Sequence, residues 1–265
     1  MKNAYMVWLM LMIPFIAAQA REKETSRLRA GIEIGFAGIF GEIKLSDRMR
    51  ESKSAFPLDG AHCGLPETNQ AINGFRTGVK AEYFTRNNRI GLATGLLFEQ
   101  YSAAVHANGD YFFWQLHQEG LNTYYIRIKN MAQKNFYLGV PVEFRYLPYK
   151  RELPVRIYFK LGGTFACKLF TKNEFRFYDP SMKHYEATVL RQMDKPSHFI
   201  AYIYPAVGLK IGRRMNPRIN VEINIPVMLQ SDASSLYKSH AGFGMKLMVQ
   251  LPVNIKTPVD RESIQ

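Results

Sequence analysis

Two groups of residues in this chain are of types that do chemistry. The first contains nucleophiles and soft ligands. His62 and Cys63 are adjacent, and Ser102, His106, Asp110 and His117 are strung along one segment. A structural metal centre needs several N or S ligands at finger-like spacing, and His62-Cys63 has no second pair placed that way. A serine nucleophile needs a base held against it, usually within a recognisable motif, and none surrounds Ser102. The sequence therefore calls for no catalytic residue, no metal and no cofactor. The second group consists of charges embedded in alternating apolar runs: Arg76, Lys80, Glu82, Glu99, Glu143, Arg145, Lys160, Lys210, Glu222 and Lys246. Their neighbours on either side are mostly apolar or small, so each charge shares one strand face with other polar residues. Ten such charges of both signs, gathered on one side of a sheet, form a self-neutralising network rather than a reaction centre.

Those charges require strands to position them. Ile219 to Gln230 shows the pattern most fully, with Ile219, Val221, Ile223, Ile225, Val227 and Leu229 on one face and Asn220, Glu222 and Asn224 on the other. A tilted strand crosses a bilayer in roughly 9–11 residues, and this run is that long. The same alternation predicts eight strands, over 30–43, 73–85, 90–101, 136–147, 155–170, 199–212, 219–230 and 241–253. The connections between them run long, short, long, short, long, short, moderate. Up-and-down membrane barrels sort their loops this way, with short turns on the periplasmic side. A two-residue turn at Asn87-Asn88 sets a register in which Tyr83 faces Leu92, Val79 faces Leu96 and Arg76 faces Glu99. Across a later hairpin, Glu222 is expected near Lys210. Pro141, Pro205 and Pro226 sit inside strands, where each removes a ladder bond, and bulges would absorb them.

The N-terminus reads as a signal peptide over residues 1–20. Lys2 supplies the positive charge, Val7 to Ala17 the apolar core, and Ala18-Gln19-Ala20 the cleavage site. Residues 21–29 form a periplasmic leader, 30–253 the barrel and 254–265 a polar periplasmic tail. Loss of the signal removes one lysine from a net charge of +13, leaving 34 basic against 22 acidic residues. For an exported chain the matching anions are outer-membrane lipid headgroups and lipopolysaccharide phosphates, not nucleic acid. Export also permits a bond between Cys63 and Cys167, although two cysteines make no disulfide framework.

Charge on a lipid-facing midplane costs about 2–4 kcal/mol, so the charged face belongs inside. The expected architecture is all-β: an eight-stranded antiparallel up-and-down transmembrane barrel with long extracellular loops, in the bacterial outer membrane. The loops carry aromatic runs, Tyr111-Phe112-Phe113-Trp114 in the second and Phe175, Phe177 and Tyr178 in the third. Aromatics of this kind either cap the barrel or make a partner surface, and an envelope protein is the partner that such a surface would meet. Arg127, Lys129, Lys172, Arg176 and Lys183 are interspersed and would suit phosphate.

Tyr137-Leu138-Gly139-Val140-Pro141-Val142-Glu143-Phe144-Arg145-Tyr146, with Gly162-Gly163 in the next strand, resembles the PorT-like outer-membrane barrels of the Bacteroidota. That resemblance implies eight strands and a tolerated strand proline at Pro141. It implies no catalytic residue. The functional expectation is a structural or binding role in a cell-envelope or secretion assembly, with no open pore and no enzyme activity. The alternatives are an outer-membrane lipid-modifying enzyme with a site at the rim, and a secreted soluble barrel holding a ligand.

Overall fold

The computed structural model describes residues 27–44, 49–50, 69–85, 89–116, 124–149, 153–212, 217–230 and 233–253. The expected signal peptide, most of the expected leader, His62, Cys63, Asn87-Asn88, His117 and the expected tail lie outside them.

Eight strands close into one ring. They are β1 (Leu28–Ile43), β2 (Asn69–Phe84), β3 (Ile90–His106), β4 (Tyr124–Tyr146), β5 (Val155–Phe177), β6 (Phe199–Ile211), β7 (Arg218–Asn224 with Val227–Gln230) and β8 (Tyr237–Pro252). Every neighbouring pair is antiparallel, and β1 pairs with both β2 and β8. All eight expected strands are present. β1 starts at Leu28, so the leader's last residues belong to the barrel, with Arg29 opposite Glu82. The β2–β3 register places Tyr83 against Leu92, Val79 against Leu96 and Arg76 against Glu99, as a two-residue turn requires.

Alternation decides the two faces. Val79, Leu92, Leu96, Val140, Val142, Leu161, Val207, Ile223 and Leu247 point outward and are exposed, while the intervening charges are buried in the lumen. Cys167 is a free thiol on the outer face. A soluble ligand-binding barrel has the opposite polarity, so that alternative falls. The start of β1, the end of β8 and the strand ends joined by short connections lie at one end of the ring, and the strand ends joined by long connections lie at the other.

The prolines are not absorbed by bulges. The β3–β4 register is the same on both sides of Pro141, and pairing simply lapses between Thr94–Val142 and Leu97–Gly139. Pro205 and Pro226 share a second lapse, between Ala206–Asn224 and Ile203–Val227. There the Ile225 N–H still donates to the Pro205 carbonyl at 3.1 Å. Pro205 lacks the return donor on this side, whereas the donor missing from Pro226 faces β8, where the Gly242 N–H still reaches the Pro226 carbonyl at 2.8 Å.

The strands differ in reach. β4 and β5 run 23 residues each, against 13 for β6. Phe136 to Tyr146 of β4 is enough to cross hydrocarbon, so Tyr124 to Asn135 stands above it. The expected membrane-crossing part of β4 begins at Phe136, and the alternation of Tyr124 to Lys129, which the sequence offers as strand above the membrane, is indeed part of the same strand.

Candidate functional site

The middle of the lumen holds a closed ring of six charges. Lys80 lies 2.6 Å from Glu33 and 2.5 Å from Glu143. Lys160 lies 3.1 Å from Glu143 and 2.5 Å from Glu222. Lys246 completes the circuit at 3.5 Å from Glu222 and 3.9 Å from Glu33, and also sits 3.6 Å from Glu143. Three carboxylates and three ammonium groups cancel, which is what burial of charge demands. The hydroxyl of Tyr204 donates to Glu143, and that of Tyr158 to Glu222. Both rings fit only because a glycine lies opposite, Gly162 beneath Tyr204 and Gly208 beneath Tyr158. A Cβ at Gly162 would fall 2.4 Å from the Tyr204 ring.

A second cluster lies toward the short-turn end. Arg145 reaches Glu82 at 3.0 Å and stacks over Tyr158. Lys210 sits 4.0 Å from the centre of the Phe84 ring. Lys210 and Glu222 are diagonal neighbours across the β6–β7 hairpin, as expected, but they do not form an ion pair. Lys210 pairs in register with Asn220 while Glu222 pairs with Gly208, and the Glu222 carboxylate turns to Lys160 and Lys246 instead. A third cluster lies toward the long-loop end. Arg76 and Glu99 face each other in register, but Tyr202 stands between them. Its hydroxyl donates to Glu99 and receives from Arg76 at 3.5 Å, and Arg76 also donates to Asn224 at 3.0 Å. All ten charges named from the sequence are buried in the lumen. The lumen tyrosines Tyr158, Tyr202 and Tyr204 went unnamed, although the last two share parity with Lys210. A cavity of about 10 Å³ beside Arg76, Tyr101, Tyr202 and Pro226 has room for about one water.

Above the charged clusters the lumen turns apolar and is capped. The segment Phe112–Leu116 adds itself to the edge of β4's extension, and Met49–Arg50 adds to that segment in turn. Phe112, Trp114, Leu116, Ile126, Ile128 and Met131 are buried with Val189 of helix α1 (Glu186–Gln192). The Trp114 indole N–H donates to the Gln192 side chain at 3.2 Å. Asp179 starts the 3-10 turn before α1 by accepting the Ser181 N–H at 2.9 Å, which holds its carboxyl below the usual range. Beside these, Gln133 and Asn135 bind Ser234, Ser235 and the Ala233 carbonyl, fastening the last long connection into the lumen.

The expected aromatic partner surface is thereby divided. Phe112 and Trp114 are fully buried and Tyr111 nearly so; they seal the barrel, because the extended ladder gives them a sheet to pack against. Phe113, Phe175, Phe177 and Tyr178 are half-buried. Arg127 lies between Tyr111 and Tyr178, 5.5 and 4.9 Å from their ring centres, and Lys129 lies 5.1 Å from that of Tyr178. Ser102 and His106 share the outer face of β3 but are four residues apart, about 13 Å along a strand, beyond proton-transfer reach. Among the described residues no three His, Cys, Asp or Glu side chains cluster as a metal site requires.

A closed antiparallel barrel with an apolar outside, charged inside and loops sorted by parity has the construction of an outer-membrane protein, and the chain is a bacterial outer-membrane β-barrel. No family model and no curated protein matches it. Among solved structures it is similar to the outer membrane protein OprG from Pseudomonas aeruginosa, at 9% identity and a TM-score of 0.40, covering 86% of this chain and 98% of that one. Neisserial surface protein A overlaps at 10% identity and 0.37, covering 86% and 98%. Ail of Yersinia pestis overlaps at 13% identity and 0.31, covering 84% and 97%. At these scores the barrel assignment rests on the strand ring itself.

Proposed function

We propose that the chain is a closed, non-conducting barrel that serves as a pedestal for a binding surface, with an envelope protein as its partner and no catalytic step of its own. The observation that carries this is the extension of β4 and β5. A bare barrel needs no more strand than the bilayer is thick, yet Tyr124 to Asn135 continues beyond the belt and acquires its own packed core around Trp114. Ordered structure of that kind above a membrane presents residues outward, here Phe113, Arg127, Lys129 and Tyr178. The PorT-like resemblance fits the same reading, since it implies an eight-stranded barrel and no catalytic residue.

Two measurements test it. Ala104 pairs with Ala132, so an Asn-Gly turn can join them and remove the top of the ladder. The trimmed chain is expected to show heat-modifiable migration as a folded barrel while losing its crosslinked partner. A trimmed barrel that keeps the partner places the working surface elsewhere. In planar bilayers the purified parent is expected to give no steady conductance, because the six-charge ring fills a lumen that eight strands make only wide enough for side chains. Sustained channel steps would refute the closed lumen.

A further inference from the structure

We infer that the outer wall of β4 and β5 carries a clamp for the phosphate of an outer-leaflet glycolipid of the lipid A class, with Lys134 and Lys172 as its jaws. The inference rests on the orientation of the barrel, not on the identity of the partner bound by the cap.

The level of the membrane edge is marked by one row of outward aromatics. Phe36 faces Phe75 on the next strand, with ring centres 5.3 Å apart. Across Gln100 the row continues to Phe136 and Phe170, which stack at 4.3 Å. A β-bulge at Phe136/Tyr137 leaves both Leu169 and Phe170 outward and exposed, widening the row. Aromatic belts of this kind sit where hydrocarbon meets headgroups. Two residues farther out, about 7 Å along the tilted strands, the next outward row holds Ser102, Lys134 and Lys172, consecutive across three strands.

Lys134 and Lys172 are direct cross-strand partners. Residues so placed have Cβ atoms about 4.5–5.5 Å apart, and like charges there destabilise the ladder. Glu174 offsets one charge, at 3.2 Å from Lys172, but Arg176 follows on the same face. Three cations therefore meet one carboxylate, which leaves an excess of two positive charges at headgroup height. Lys172 is 64% exposed, so its pair with Glu174 is a weak surface one that a phosphate can displace. A phosphate between the two ammonium groups turns the repulsion into two charge-assisted hydrogen bonds, with Ser102 alongside as a further donor. The stacked phenyl rings immediately below offer a surface for the acyl chains of the same molecule. A soluble anion would use only the upper half of this arrangement.

The test is lipid retention by the purified barrel in native mass spectrometry. Parent protein is offered hexa-acylated, bis-phosphorylated lipid A or its dephosphorylated form. The parent is expected to retain the phosphorylated lipid about tenfold better, the factor that roughly one charged hydrogen bond supplies. The double variant Lys134→Gln/Lys172→Gln is expected to lose that preference. Lys238→Gln, which removes an exposed cation from another wall, is expected to keep it. Heat-modifiable migration reports whether the double variant is folded, and the single Lys172→Gln, at an exposed position, supplies the reading if it is not. Equal retention of both lipids by the parent overturns the proposal, as does an unchanged preference in the variants. Displacement of the lipid by inorganic phosphate at equal concentration would reassign the clamp to a soluble anion and overturn the glycolipid.

Discussion

Glu143→Gln should destabilise the folded barrel by about 3–5 kcal/mol, the usual consequence of removing one partner from a buried ionic network. Glu143 lies within ion-pair reach of Lys80, Lys160 and Lys246, and it accepts the Tyr204 hydroxyl. Without its charge, three ammonium groups share Glu33 and Glu222 in a lumen with no bulk water. Urea titration of protein folded into vesicles measures the effect. With a slope of about 1–3 kcal/mol per molar for small proteins, the midpoint should fall by on the order of 1–5 M. Glu174→Gln makes the same chemical change on an exposed pair, where salt bridges contribute about 0–1 kcal/mol, and should leave the midpoint almost in place. A Glu143→Gln barrel as stable as the parent would mean that the ring is not a paired network.

Trp114→Ala should open the cap while leaving the membrane-spanning barrel closed. Removing a buried tryptophan costs about 3–5 kcal/mol, and here that loss falls on one short segment. Trp114 faces Ile126 on one side and Met49 on the other, and its indole is tied to Gln192 of α1. The segment Phe112–Leu116 has five residues, and Phe112 and Leu116 are its other buried anchors. Limited proteolysis in vesicles should cut the variant above the membrane at a protease level that spares the parent, while gel migration still reports a folded barrel. If the cap resists protease unchanged, the buried cluster does not depend on this side chain. If the barrel itself is lost, cap and barrel form a single cooperative unit.

The membrane-crossing parts were legible in the sequence because lipid imposes a strict period of two. Ile219 to Leu229 has no freedom to place a charge outward, so parity alone assigns the faces, and the short turn after Thr85 sets the β2–β3 register. Above the membrane that constraint ends. Outward residues of β4 and β5 become Lys134, Lys172 and Arg176, inward ones become Gln133 and Asn135, and the alternation loses its contrast. The two longest strands were therefore read short. Inside the lumen, sequence supplied the charges but not their partners. Lys160 and Glu222 sit on strands separated by β6, and only the inward curvature of the sheet brings them to 2.5 Å. Trp114 illustrates a third limit. A tryptophan in a loop fits a cap or a surface equally well until the sheet it packs against has been placed.

The order in which the six-charge ring draws on the chain has a consequence for insertion. Glu33 and Lys80 lie on the neighbouring strands β1 and β2, Glu143 and Lys160 on β4 and β5, and Glu222 and Lys246 on β7 and β8. Each of these hairpins brings one carboxylate and one ammonium, at 2.6, 3.1 and 3.5 Å from each other. As far as the ring is concerned, each hairpin can enter hydrocarbon as a neutral unit, with its charge already matched by the strand beside it. Of the links between hairpins, Lys80 to Glu143 and Lys160 to Glu222 each reach across one intervening strand, whereas Lys246 to Glu33 forms only on closure, when the first and last strands meet. That seam joins the two ends of the chain, so its contacts carry the largest loop-closure entropy and come late. The same six side chains thus act first as three separate neutral pairs and then as the latch of the finished ring.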